Sequence, residues 1–147
     1  MLRRLQTIDG KNIDVMCTAN VNMVRGMVVQ KDLKNKKAIF PADQTALYFV
    51  DKDNQPTGLM SYEGDLSEYD DRLENIKATE LVQLEKMLSG ERYATDQIVT
   101  EGLVVGDKLD AGADGKLTKA ASESTSNLVY GGAYNDNGHA LGIVQVL

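Results

Sequence analysis

The sequence predicts a mainly β (α+β) protein, a small β-barrel or sandwich built from two related β-rich arms with one α-helix inserted at about residues 66–89. Three observations carry that expectation. Short apolar runs rich in Val, Ile, Leu and Tyr alternate with turn residues over most of the chain, as short strands do. One segment free of Gly and Pro has helical apolar spacing instead. The runs on its two sides resemble each other in order and composition. All 147 residues fit a single β-rich domain, since domains of about 100 to 150 residues are the commonest size.

In chain order, residues 1–20 form an N-terminal arm or edge strand, with apolar runs then expected as strands at 12–17, 21–29, 38–40 and 46–50. After the helical segment come runs at 103–109, 128–130 and 141–147. Asp9-Gly10, Asp114-Gly115 and Asn137-Gly138 are dipeptides that accept positive φ, and the last two sit between apolar runs as hairpin connections do. The helix rests on Leu66, Tyr69, Leu73 and Ile76 at steps of three, four and three. Asp65 and Glu68 resemble a capping pair, and Lys86 and Gly90 supply the favoured last-turn cation and terminal glycine. Leu81, Leu84 and Leu88 continue the pattern after a step of five, which leaves either a drifting apolar face or a bend. Residues 65–90 thus read as a helical insertion or crossover.

The repeat pairs Gly26-Met27-Val28-Val29 with Gly102-Leu103-Val104-Val105, and Lys37-Ala38-Ile39 with Lys116-Leu117-Thr118. It continues with Ala46-Leu47-Tyr48 against Asn127-Leu128, and Gly58-Leu59-Met60 against Gly142-Ile143-Val144. A duplication of this kind predicts two similar sub-sheets.

Charge is unevenly spread. Through Lys37 the chain holds eight Lys/Arg against three acids, and the remainder holds eight against nineteen. An acidic bulk disfavours nucleic acid, while a basic front end can dock on an acidic surface; a solvated loop around Lys31 and Lys37 is the plainer alternative. Arg3, Arg4, Arg25, Lys34, Lys36 and Lys37 are the candidate binding residues. Cys17 is the single cysteine, so no intrachain disulfide forms. The Met1-Leu2-Arg3-Arg4-Leu5 start has no apolar stretch of signal-peptide or membrane-span length, so assembly in a cytoplasm, without a membrane partner, is expected.

Enzyme chemistry finds little to work with. His139 is the only histidine, which leaves no His pair and no Ser-His-Asp set with a choice of bases. Cys17 has no neighbouring cysteine or evident base and reads as a buried small apolar residue. Asp51-Lys52-Asp53-Asn54-Gln55 begins like a calcium loop, but Pro56 stands where the sharp turn needs glycine and Tyr62 where the closing Glu belongs. No phosphate-binding glycine loop is present. No catalytic residue, metal or cofactor is therefore assigned, and a binding role is expected.

Residues 99–109, Val-Thr-Glu-Gly-Leu-Val-Val-Gly-Asp-Lys-Leu, are similar to the strand-turn-strand of lipoyl and biotinyl carrier domains. That resemblance needs a modifiable lysine on a hairpin, and the nearest triplet, Ile76-Lys77-Ala78, lies in the expected helix and lacks the preceding Asp. From Val21 onward the chain more closely resembles the capsid decoration (cement) proteins of tailed bacteriophages. The carrying residues are residues 24–29, Glu101 to Asp107, the Asp114-Gly115-Lys116-Leu117 hairpin and the closing Ala140-Leu141-Gly142-Ile143-Val144. This resemblance implies a non-enzymatic protein on the exterior of an expanded capsid. Its partner would be the major capsid protein, with a homo-oligomer such as a trimer left open. Under it, the six cations would lie on an acidic shell.

Overall fold

The structure, a computed structural model, describes residues 1–11, 13–52 and 74–147. Among these the chain is almost wholly strand and turn. Five strands close a barrel in the order β2-β5-β4-β6-β8: β2 (Asp14–Ala19), β4 (Val28–Asp32), β5 (Lys37–Ile39), β6 (Tyr48–Asp51) and β8 (Leu81–Lys86). A six-stranded sheet follows in the order β1-β9-β13-β12-β10-β11. Its members are β1 (Leu2–Gln6), β9 (Arg92–Thr95), β10 (Lys108–Ala111), β11 (Leu117–Lys119), β12 (Leu128–Asp136) and β13 (His139–Val146). β3 (Met23–Val24) and β7 (Asn75–Ile76) form a short antiparallel pair.

The two related arms are two units with one pattern of connections. The barrel order β5-β4-β6-β8-β2 is repeated as β11-β10-β12-β13-β9. In the first unit the ends meet in parallel, with Thr18 against Lys37 and Ala19 against Ala38; in the second they meet at a single parallel bridge, Ile98 with Leu117. Even the closing hydrogen bonds correspond: the Asn20 amide donates to Ala38 at 3.0 Å, and the Val99 amide to Leu117 at 2.8 Å. β4, β5 and β6 start at residues 28, 37 and 48, and β10, β11 and β12 each start 80 residues later. Where the second unit has the Asn137-Gly138 turn, the first has a long connection that includes β7 and residues 53–73.

That register shifts the sequence pairing by one residue at two places, Lys37 corresponding to Leu117 and Leu47 to Asn127, and by four at a third. Val28-Val29 open β4 and pair with Phe49 and Tyr48; their counterparts are Lys108-Leu109, which pair with Val129 and Leu128. Gly102 to Val105, the sequence match for Gly26 to Val29, lie four residues earlier in two successive turns. There the Leu103 amide donates to Thr100 and the Asp107 amide to Val104, with Gly102 and Gly106 both at positive φ. The expected strand at 103–109 therefore begins only at Lys108. The expected strand at 21–29 is likewise split into β3 and β4 by Gly26 at φ 93°.

The helix expected at 66–89 is not borne out over its described part; residues 66–73 lie outside the described residues. Asn75–Ile76 is β7, Thr79 sits at φ 75° in a turn, and Leu81–Lys86 is β8. Leu, Gln, Glu and Lys favour helices only weakly, and pairing on both sides with β2 and β6 overrides that preference. The decisive pattern has period two: Val82 and Leu84 point into the barrel core, while Leu81 stays exposed. Gly90 does take a positive φ, at the turn between β8 and β9.

Two cores result. Cys17, Val29, Ala38, Val50, Val82 and Leu84 fill the barrel. Tyr93, Leu109, Leu117, Leu128, Val144 and Val146 pack in the second unit, and Val28, Leu47, Phe49 and Met87 from the first join them. β4 and β6 are thus buried on both faces, which is why Val28-Val29 and Phe49-Val50 read as continuous apolar pairs. Phe49 meets Tyr93 at a ring-centroid distance of 4.8 Å. The N-terminal strand is an edge strand of the six-stranded sheet, yet it belongs to the body: Met1 and Leu2 are each 2% exposed.

Gly26 marks a close approach between the units. A Cβ there would lie 2.5 Å from the Met1 carbonyl oxygen and 2.4 Å from Thr95 Oγ1, at a φ that side chains rarely adopt. Gly26→Ala is expected to destabilise the protein by at least about 2 kcal/mol, measured as a fall in the urea midpoint with unchanged slope.

Candidate binding surface

The six candidate cations fall into two groups. Arg3, Arg4 and Arg25 serve the fold. Arg4 bridges Glu85 through Nε at 2.7 Å and Asp51 through Nη2 at 2.5 Å, and Arg25 Nε donates to the other oxygen of Asp51 at 2.6 Å. Arg3 Nε donates to Asp136 at 2.5 Å. These arginines lie in a polar seam where the N-terminal segment crosses both units. Within the seam Lys11 Nζ contacts Glu91 at 2.8 Å and Glu85 at 3.0 Å, and the Tyr93 hydroxyl donates to Glu91 at 2.7 Å. The Met1 ammonium contacts Asp96 at 2.6 Å and Glu74 at 2.8 Å. Sequence reasoning missed Glu85 because a carboxylate inside a predicted helix reads as solvated, and it missed the pairing of Glu91 with Lys11 because the two lie 80 residues apart in the chain.

The other three cations face outward. Residues 33–36 turn β4 into β5, and Asp32 orders the turn: its carboxylate accepts from the Lys34 and Asn35 amides at 3.1 Å and from Asn35 Nδ2 at 2.7 Å. Those bonds, led by the Asn35 side chain, hold the Asp32 carboxyl below its ordinary range. Lys36 takes φ 53°, which turns the chain into β5. Among the described residues Lys34 and Lys36 have no carboxylate partner, while Lys37 donates to Asn20 Oδ1 at 3.4 Å and acts electrostatically on Asp32, its cross-strand neighbour.

Exposed apolar side chains flank these lysines. Lys37 pairs with Thr18, and Thr18 pairs on its other side with Leu81, so the three share one outward row of the barrel. Leu81 is 69% exposed, Met16 on the same strand as Thr18 is 66% exposed, and Leu33 at the turn is 81% exposed. Because β2 and β5 run parallel, Met16 lies beside the turn that precedes Lys37. An apolar surface rimmed by unpaired cations suits an acidic protein partner.

Other candidates are committed elsewhere. His139 Nε2 lies 3.1 Å from Asp96 at the mouth of a cleft of about 170 Å³ lined by Thr95, Ile98, Tyr130 and Ala133 among others. Burial pushes Asp96 up, but the Met1 ammonium, Gln97 and His139 outweigh it and hold the carboxyl low. The Thr95 hydroxyl is given to the Gly26 carbonyl at 3.1 Å. Cys17 is buried in the barrel, and burial pushes its thiol up, away from a reactive thiolate. Asp51, first residue of the calcium-like stretch, is taken by two arginines, and the rest of that stretch from Asp53 lies outside the described residues. Lys77 is in an exposed turn, not in a helix, but that turn joins β7 to β8, which do not pair with each other, so it is no hairpin tip. No cluster of three or more metal-ligating side chains occurs among the described residues.

Two expectations follow. Lys11→Met leaves Glu91 and Glu85 short of a cation, at a cost of about 3 kcal/mol at pH 7. Burial pushes Glu91 up, but Lys11, Tyr93 and the Ile8 and Leu88 amides outweigh it, so its folded pKa lies below the ordinary 4.5. Its stabilising contribution is present above 4.5 and is lost as pH falls through the lower folded value. The gap between wild type and Lys11→Met in chemical unfolding should therefore shrink on acidification below about 4.5. By contrast, the triple variant Lys34→Glu, Lys36→Glu, Lys37→Glu should melt within a few degrees of wild type, as exposed unpaired positions do. In comparisons with protein families, curated proteins and solved structures, the chain has no significant match.

Proposed function

We propose that this chain is a virion structural protein of a tailed bacteriophage, one that binds the outer surface of the expanded capsid and stabilises contacts between capsomers without catalysing a reaction. The observation that carries the reading is the exposed lysines of the β4–β5 turn, outside any salt bridge among the described residues, beside exposed apolar side chains on an otherwise acidic body, in a sequence that resembles the decoration proteins. A closed barrel fused to a six-stranded sheet, with both faces of β4 and β6 buried, makes a stiff element, and stiffness is what a clamp against internal pressure requires. Weak contacts repeated around a shell add through multivalency, so each copy can bind modestly. The partner is the major capsid protein, the site the capsid exterior, and assembly takes place in the host cytoplasm. No cofactor, nucleic acid or membrane enters this role.

The test is a copy count in density-purified, DNA-filled particles by quantitative mass spectrometry. The proposal expects hundreds of copies in fixed ratio to the major shell protein. A handful of copies places the chain at a portal or tail instead, and absence from the particles overturns the virion reading in favour of a binding module with another ligand.

A further inference from the structure

The internal duplication indicates what the β4–β5 turn is for. Its counterpart in the second unit is the β10–β11 turn, and that turn is a docking element within the chain itself. The Gly115 carbonyl accepts from the Val28 amide at 2.7 Å, and a Cβ at Gly115 would lie 3.0 Å from the Phe40 ring, so the tip is seated against the first barrel. Gln44 grips the strand behind it, accepting from the Ala111 amide at 2.7 Å and donating to the Ala111 carbonyl at 3.1 Å. The equivalent tip on the first unit has the same place in the topology and is ordered by Asp32, yet it projects with Leu33 exposed and Lys34 and Lys36 unpaired among the described residues.

We propose that the β4–β5 turn is a docking tooth for an acidic protein surface. Leu33 fills an apolar hollow, Lys34, Lys36 and Lys37 meet carboxylates around it, and Met16 and Leu81 extend the contact. The partner is not a second copy of this chain. The receptor that holds the β10–β11 tip is made by Val28, Phe40 and Gln44, and 80 residues on stand Lys108, Ala120 and Ser124. Ser124 is already engaged with Asp110, and Lys108, whose ammonium donates to the Ser124 carbonyl at 3.1 Å, puts positive charge where a basic tooth would arrive. The seated tip also differs in charge: residues 113–117 balance Asp114 against Lys116, whereas residues 33–37 carry three lysines and no acid, with Asp32 just before them. The inference rests on the virion reading for the partner's identity, the shell protein, and adds which element touches it.

The experiment is co-sedimentation of the full chain with expanded shells stripped of it, for wild type, the Lys34→Glu, Lys36→Glu, Lys37→Glu variant and Leu33→Ser, each at two salt concentrations. Far-ultraviolet circular dichroism melts and sedimentation velocity of the free proteins accompany it. Wild type should saturate the shells and weaken with salt. The triple variant should bind about 100-fold more weakly or not at all, and Leu33→Ser about tenfold more weakly, both with wild-type melts. Wild type binding with the triple variant equal to it overturns the tooth and leaves the virion reading standing. Failure of wild type itself to bind overturns both. A change in the oligomeric state of the free triple variant, with shell binding intact, assigns the turn to self-association and overturns the inference.

Discussion

The structure depends on two carboxylates shut away from solvent. Glu85 and Glu91 are almost completely buried where the two units meet, and an unpaired charge there would be intolerable. Lys11 reaches both, Arg4 reaches Glu85, and the Tyr93 hydroxyl bridges them. Meeting that demand fixes the path of the N-terminal segment, because the cations that satisfy the carboxylates lie in β1, at Arg4, and just after it, at Lys11. It also fixes the face that β8 presents, since Glu85 must point to the seam while Leu84 points into the barrel. Tyr93 has to remain neutral to serve here: burial first, then the neighbouring carboxylates, push its hydroxyl far above the usual tyrosine range. Its contribution is therefore whole below about pH 10 and is lost as pH rises beyond it, whereas that of Glu91 is lost toward acid.

Around this seam the duplicated units have diverged in complementary ways. Both keep the same strand order and the same parallel closure. The second unit spends its β10–β11 turn on contact with the first, and the first keeps its equivalent turn outside. Val28 and Phe49 record the same division on the barrel wall, where one face of each strand fills its own unit and the other fills the shared core. The fused body thus has one tip turned inward for cohesion and one turned outward with a basic charge. That asymmetry separates the residues that hold the protein together from those free to bind something else.

The β class, the duplication and the Asp114-Gly115 and Asn137-Gly138 turns were legible because they depend on local chemistry: alternation, β-branched runs and dipeptides that accept positive φ. Residues 75–86 were misread as helix because Leu81, Leu84 and Leu88 mimic helical spacing, while the β alternation of Val82 and Leu84 is only two residues deep. Gly102 to Val105 misled for a related reason: Leu-Val-Val looks like a strand, but Gly102 and Gly106 both demand turns. Of the candidate binding residues, the lysines at 34, 36 and 37 were findable as a cluster in one turn. That Arg3, Arg4 and Arg25 have carboxylate partners was not, since each pairing spans at least 26 residues of sequence and exists only once the seam is folded.

If the buried carboxylates fasten the barrel and the six-stranded sheet into one body, the units cannot open independently. Native-state hydrogen exchange in low denaturant measures this directly, by comparing β4 and β8 amides of the first unit with β9 and β13 amides of the second. The account predicts a single opening free energy for Leu84 in the first core and Val144 in the second, equal to that of global unfolding. Opening free energies that differ by more than about 2 kcal/mol, with one unit exchanging while the other stays protected, would contradict it.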